Sequence, residues 1–424
     1  MWQTLGLVLL LSEALAFNFT LGVFSDVALP REPEVAESNL ENAALLRMQL
    51  RYPQRKSQVR RQRAIPASTP FFCQDSVPYG RSKQRPTSVH RLRPGDIDVV
   101  AAIGDSLVAG SGALEEFALG AFVEYRGVSW CAGGDGTWRE FLTLPNILKE
   151  FNPNLKGFST GTGEWLTRNA RLNVAFPVAS DQDAFKQAKI LVARMRSSSD
   201  IDIAQDWKMI TVFIGANDLC SASCLSPVAW SPTAHARKLA KALDYFHTHL
   251  PRTIINLVPV LDVSVSVRVL RPLMCRMMHS LFCTCFHRGG GELEDLVRMA
   301  RLYQKAETML VDSGRYDTTE DFTVVVQPFM RLFNAPLPPT RPLSLVIHQS
   351  YITHDCFHFS QKGHALAANL LWNNLLEPVG NKTDNSPPVL LRTFRCPSRE
   401  APYIFTARNS KNYLLTGVQD GAQL

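Results

Sequence analysis

The sequence predicts an α/β protein: a three-layer α/β/α sandwich around a central parallel sheet. Three observations carry that prediction. Four short runs rich in β-branched and apolar residues recur along the chain, at 97–103, 209–214, 253–260 and 322–326. Stretches whose apolar residues return near every 3.6 positions separate them, at 182–196, 234–249 and 293–311. The runs are apolar at consecutive positions instead of alternating, so each strand needs cover on both faces, as a parallel sheet between helical layers provides.

Each element ends where its chemistry dictates. The first run stops at Gly104-Asp105-Ser106-Leu107, and the second runs into Gly215-Ala216-Asn217-Asp218. In open parallel sheets the working groups collect beyond the carboxyl ends of strands, so both termini are candidate site loops. A last helix is predicted over 361–376, halted by Pro378 and Gly380, with Asp355-Cys356-Phe357-His358 just before it. No fixed-period repeat is present, which argues against a solenoid.

With 424 residues, 46% of them apolar, the chain can bury one large core, and whole-chain disorder is excluded. The net charge of +7 is unevenly placed. Between Arg47 and Arg93 there are twelve Lys or Arg and one acid, Asp75, so the remainder is net acidic and offers no basic face for nucleic acid. The polar, Pro-punctuated composition of 51–94 predicts a solvated linker. At the start, an apolar run over 5–11 precedes Ala14-Leu15-Ala16, the small-x-small pattern of a signal-peptidase site. The expected organisation is therefore a signal peptide over 1–16, an N-terminal extension and basic linker over 17–94, a catalytic domain over 95–396 and a C-terminal tail over 397–424. No later stretch reaches the roughly 18 apolar residues of a bilayer span. Export also fits two sequons, Asn18-Phe19-Thr20 and Asn381-Lys382-Thr383, and nine cysteines. The spacings of Cys220, Cys224, Cys275, Cys283 and Cys285 match no standard zinc site, so disulfides are expected, with Cys131 as the odd thiol.

A serine hydroxyl attacks a carbonyl only when a base removes its proton, and the base works best when a carboxylate fixes its tautomer. The sequence supplies Ser106 after a strand, His358 in a late loop, and Asp355 three residues earlier. Oxyanion donors are available from the Ser106 N–H, from a glycine of Gly133-Gly134-Asp135-Gly136 and from the Asn217 side chain. Asp105 is expected to brace the turn through backbone hydrogen bonds. Each signal is weak alone: a Gly-Asp-Ser triplet is usually an ordinary turn, and an Asp-x-x-His pair is usually structural. Their order at successive strand ends raises them together.

These blocks, Gly104-Asp105-Ser106-Leu107, Gly134, Asn217 and Asp355-Cys356-Phe357-His358, resemble those of the GDSL/SGNH hydrolase family. Longer stretches are similar to its phospholipase B branch, including residues 143–152, Asp206-Trp207-Lys208 and residues 313–318. The resemblance implies a flavodoxin-like fold and cofactor-free, metal-independent hydrolysis of acyl esters on glycerophospholipids and lysophospholipids at a membrane or micelle surface. It implies Ser106 as nucleophile, His358 as base, Asp355 as its orienter, and Ser106, Gly134 and Asn217 as the oxyanion hole. Two positions depart from the family pattern: Phe359 follows the histidine where proline is usual, and Val178 stands where glycine is usual. Other readings stay open at this level: an esterase for carbohydrate acetyl groups or small soluble esters, a lipid-binding module without turnover, and a Cys356–His358 nucleophile pair. Leu281-Phe282-Cys283 is either core or part of a lipid-facing surface.

Overall fold

The computed structural model describes residues 59–226, 228–268, 272–286, 292–335, 348–385 and 388–422; the expected signal peptide and the first sequon lie outside them. Four strands, β1 (Val99–Gly104), β2 (Lys208–Phe213), β3 (Thr253–Leu257) and β4 (Phe322–Val326), pair in the order β1-β2-β3-β4, all parallel. The register aligns the strand starts, with Val99 opposite Lys208, Lys208 opposite Thr253, and Thr253 opposite Phe322. The helices are α1 (Ser106–Ala109), α2 (Leu144–Lys149), α3 (Ala184–Ser197), α4 (Pro232–His249), α5 (Val265–Arg268), α6 (Leu273–Phe282), α7 (Glu292–Asp312), α8 (Gln361–Leu375) and α9 (Ala407–Thr416). The predicted run at 253–260 is strand only to Leu257, since Pro259 has no N–H to give a ladder.

Consecutive apolar residues are explained by the two faces of the sheet. Val99, Ala101 and Ile103 of β1 pack with Leu191 and Val192 of α3 and with Leu239 and Phe246 of α4. Val100 and Ala102 turn the other way, into a core with Ile147 of α2 and with Leu371 and Trp372 of α8. Side chains alternate across a strand, so a fully apolar run feeds two separate cores. On the free edge of β1, Lys156 and Asn173 make isolated parallel bridges to Val99 and Ala102. The chain thus visits one side of β1 at 173 and then crosses to β2 on the other. That reversal is a topological switch point beyond the ends of β1 and β2, the place where open α/β sheets bind their ligands.

The described part of the expected linker is no linker. Phe71, Val89 and Leu92 are buried in the main core, and Cys73 is bonded to Cys396 across 323 residues of sequence. Its arginines are pinned to the body: Arg81 to Asn152, Arg85 to Asp98, and Arg60 to the Ile352 carbonyl. The expected tail is likewise structural, with Ile404 and Phe405 buried and α9 capped by Thr406. The described residues all belong to one compact unit. Composition misled here because the partners of these basic residues lie far away in sequence.

Replacing Cys73 and Cys396 together by serine is expected to lower stability by about 2–5 kcal/mol, read as a shift in the urea midpoint. An unshifted midpoint would contradict a structural role for residues 59–94.

Candidate active site

Ser106 is the first residue of α1, immediately beyond β1. Gly104 is demanded by packing: a Cβ there would lie 2.4 Å from the Phe213 carbonyl oxygen and 2.5 Å from a Val108 methyl. Its peptide is bracketed by the buried Gln187 of α3, which accepts from the Gly104 N–H and donates to the Gly104 carbonyl, both at 2.8 Å. Asp105 caps α1 by accepting the Leu107 N–H at 2.9 Å, as expected of a bracing side chain. A four-residue helix is not stable by itself, and its orphan carbonyls need partners. Leu107 and Val108 find them in the Trp130 indole and in the side chains of Ser129 and Asn173.

The late loop brings the base to this serine. Asp355 Oδ1 accepts the N–H groups of Phe357 and His358 and the Thr353 hydroxyl, closing a tight turn. Its Oδ2 lies 2.5 Å from His358 Nδ1, and His358 Nε2 lies 2.8 Å from Ser106 Oγ. With Nδ1–H donated to the carboxylate, Nε2 is left to accept the serine proton. Burial opposes ionisation of Asp355, but His358, Thr353 and the Phe357 N–H outweigh it and hold the carboxyl well below the usual range. Burial also disfavours the imidazolium, yet the Asp355 charge prevails and raises His358 above its ordinary value. Burial pushes the neighbouring Asp105 up to about 7.

The structure joins Ser106, His358 and Asp355 by hydrogen bonds and ties Asn217 to the segment that bonds Gly104, whereas Gly134 is engaged elsewhere. The Gly134 N–H donates to the Ser159 carbonyl at 2.8 Å, within a parallel bridge between Gly133 and Ser159. Glycine is required there because a Cβ would strike the Phe158 ring at 2.2 Å. The segment that does reach the end of β1 is 173–179: the Phe176 N–H donates to Gly104, and Ala179 accepts from Asn217 Nδ2 at 2.9 Å. Between them Val178 takes a left-handed φ of 58°. Among the described residues, the Ser106 and Val178 N–H groups have no intramolecular acceptor. The Val178 side chain is 75% exposed; Phe359 is buried behind the base loop, beside Ile352 and Phe357. Sequence reasoning also missed Arg126. Buried, it pairs with Glu124 and donates to the carbonyls of Asn173 and Ala175, holding this segment in place.

A family model described as GDSL-like Lipase/Acylhydrolase matches residues 100–371. The chain belongs to this family. Its match spans β1 through most of α8 and so contains every residue of the constellation just described. The relatives of the chain include proteins named phospholipase B1, membrane-associated. The one from Homo sapiens is 43% identical over 370 residues, which is 85% of this chain and 24% of the relative. Those from Rattus norvegicus and Mus musculus are each 42% identical, covering 81% and 80% of this chain and 24% and 23% of theirs. The chain therefore spans about a quarter of the length of these relatives.

For this member of the GDSL-like family, disulfides surround the constellation. Cys275–Cys356 anchors the base loop, while Cys220–Cys283 and Cys224–Cys285 anchor the segment after Asn217. With its sulfur bonded, Cys356 is no nucleophile, and the Cys–His reading is set aside. Cys131 is the free thiol expected, buried and with its pKa pushed up by burial. Beneath Asn217 lies a buried ionic network. His235 bridges Asp181 and Glu307, each at 3.2 Å, and the Asp181 N–H donates to the Asp218 carboxylate. Lys238 adds a contact to Asp181 at 2.7 Å. Asp218 follows Asn217, and Asp181 lies two residues beyond Ala179, so the network fastens together the loop after β2 and the segment 173–181.

Burial opposes protonation of His235, but its hydrogen bonds to Asp181 and Glu307 outweigh burial and raise it to about 9. The folded state therefore holds a proton that the unfolded chain releases near pH 6.5. Stability from this group is complete below about pH 6.5 and is lost as pH rises through about 9. Glu307 and Asp218, both raised mainly by burial, drive stability in the same direction at lower pH. The thermal midpoint is expected to fall between about pH 6.5 and 9. His235→Phe, which strands buried carboxylates, is expected to cost about 3–5 kcal/mol; a variant as stable as the parent would contradict the network.

Proposed function

We propose that the chain is a serine carboxylic ester hydrolase acting on acyl esters of glycerophospholipids and lysophospholipids, with Ser106 as nucleophile. The observation that carries this reading is the unbroken line from Ser106 Oγ through His358 to Asp355. The lipid substrate class is supported by the relatives named phospholipase B1, which are 42–43% identical to this chain.

In this reading His358 Nε2 takes the Ser106 proton as Oγ bonds to the ester carbonyl carbon. The carbonyl π electrons move onto oxygen, and the oxyanion is met by the Ser106 N–H, Asn217 Nδ2 and the Val178 N–H, which takes the place expected of Gly134. Collapse expels the alcohol, which leaves with the proton from His358. Water, deprotonated by the same ring, then releases the acid and restores Ser106. Asp355 keeps the tautomer correct and stabilises the imidazolium. Each step is carried by side chains and backbone of this chain.

The four disulfides support a secretory or extracellular setting, whether free or at the outer membrane face. Asn381 of the second sequon is exposed and open to a glycan. No helix among the described residues is long and apolar enough to cross a membrane.

Purified protein is expected to hydrolyse phosphatidylcholine and lysophosphatidylcholine faster than a soluble acetyl ester, and Ser106→Ala is expected to abolish all three activities. A preference for the acetyl ester would favour the small-ester reading. Asn217→Ala is expected to lower kcat by about 10²–10³ with a smaller change in KM. Because His358 must be neutral to act as base, kcat/KM is expected to rise with pH through a midpoint above about 6.5. Asp355→Asn is expected to move that midpoint down and reduce kcat by roughly 10³–10⁴; an unmoved midpoint would show that Asp355 does not set the base.

A further inference from the structure

Helix α6 is apolar on the wrong side. Its inner face, with Cys275, Met278 and His279, is buried, as an amphipathic helix requires. Its outer face should then be polar, but it presents Leu273, Met274, Met277, Leu281 and Phe282 to solvent, with Leu281 at 73% exposure. Alongside it the segment around Ala118–Phe122 exposes Phe117, Leu119 and Phe122. The two surfaces are continuous: Phe122 and Phe282 meet edge to face at 6.0 Å, and Ala118, Ala121 and Met278 form a small cluster beneath them. Isolated exposed apolar residues need no explanation, whereas a contiguous set on two packed elements marks a surface meant to be covered.

Both elements are strapped to the catalytic segments. Cys275 is bonded to Cys356, and His279 Nε2 lies 2.9 Å from the Asp355 carbonyl oxygen, so α6 rests on the loop that carries the base. The end of α6 is bonded through Cys283 to Cys220, three residues past Asn217. The other element is tied to the turn after Ser106 by the Gly112 N–H on Val123 and the Tyr125 N–H on Gly110. The sequence that carries α6 is one-sided in charge. From Val263 to Gly291 the sequence has no Asp or Glu and four arginines, at 268, 271, 276 and 288, in a chain that is net acidic outside its N-terminal basic stretch. Arg276 is exposed on α6 itself. The apolar outer face of α6 with the exposed Arg276 beside it complements a layer of phosphate head groups over acyl chains, while the second element carries acids, Glu115 and Glu116, just before Phe117.

We infer that the outer face of α6, with Phe117, Leu119 and Phe122, is the face that inserts into a phospholipid surface and presents the Ser106 site to it. This rests on the lipid-ester reading above, and its test is chosen to be separable from that reading. Ser106→Ala full-length protein, which cannot turn substrate over, is expected to co-sediment with phosphatidylcholine vesicles containing phosphatidylserine. The added changes Met277→Ser, Leu281→Ser and Phe282→Ser are expected to weaken binding at least about tenfold, since removing apolar area from the inserted face weakens partition steeply. Phe117→Ser with Phe122→Ser gives an independent reading from the second element. In the active protein the same changes are expected to leave a water-soluble ester cleaved within about twofold while vesicle hydrolysis falls about tenfold.

Vesicle binding undiminished in both sets of variants would overturn the inference. So would a dimer of the parent protein, seen by light scattering, that the three changes dissolve, because a second copy would then cover the face. Vesicle binding lost in the variants, in a protein that cleaves soluble esters but no lipid, would uphold the docking face and overturn the substrate reading alone.

Discussion

The hydrogen bond between Ser106 Oγ and His358 Nε2 joins residues 252 positions apart, and most of the architecture serves to hold that 2.8 Å. Neither residue has much freedom to seek the other. Ser106 is fixed because β1 is buried on both faces, because Gly104 admits no side chain, and because α1 has its carbonyls satisfied from Ser129, Trp130 and Asn173. His358 is fixed because Asp355 closes its turn with three hydrogen bonds before it ever meets the ring. A hydroxyl and an imidazole held this way meet in a fixed geometry, so a proton transfer between them would need little reorganisation.

The charged and covalent features around the constellation follow from the same need. The loops after β2 and after Asn173 meet through Asn217 and Ala179, and loops hold position poorly unless they are tied. Here Asn217 is tied to Ala179, Asp181 to Asp218 and to His235 on α4, and His235 in turn to Glu307 on α7. Buried charges are costly, so the network stabilises little overall; its physical content is that breaking one partner strands the rest. Arg126 does similar work at Asn173 and Ala175. The disulfides at Cys356, Cys220 and Cys224 pin the remaining loops from outside, and the apolar outer face of α6 is carried on those same bonds.

Much of the fold was legible because its signals are local. Consecutive apolar runs identified β1 to β4, the 3.6 period found α3, α4 and α7, the stops at Pro378 and Gly380 bounded α8, and residues at strand ends pointed to Ser106 and Asn217. Asp355 and His358 were legible because three residues is the reach of one turn. What failed depends on distant partners. Arg81 and Arg85 look like linker residues until Asn152 and Asp98 are placed beside them. Gly134 looks like an oxyanion donor until Ser159 is seen to occupy its N–H. The better signal was the departure at Val178, where a β-branched residue in a left-handed conformation costs about 1–2 kcal/mol and marks a backbone held for another reason.

If Ser106 is a nucleophile activated by His358, a fluorophosphonate will label it, and peptide mass spectrometry locates the adduct. The expected result is a single adduct on Ser106 that is lost in His358→Ala protein of unchanged thermal midpoint. An adduct on another residue, or undiminished labelling of Ser106 without His358, would contradict it.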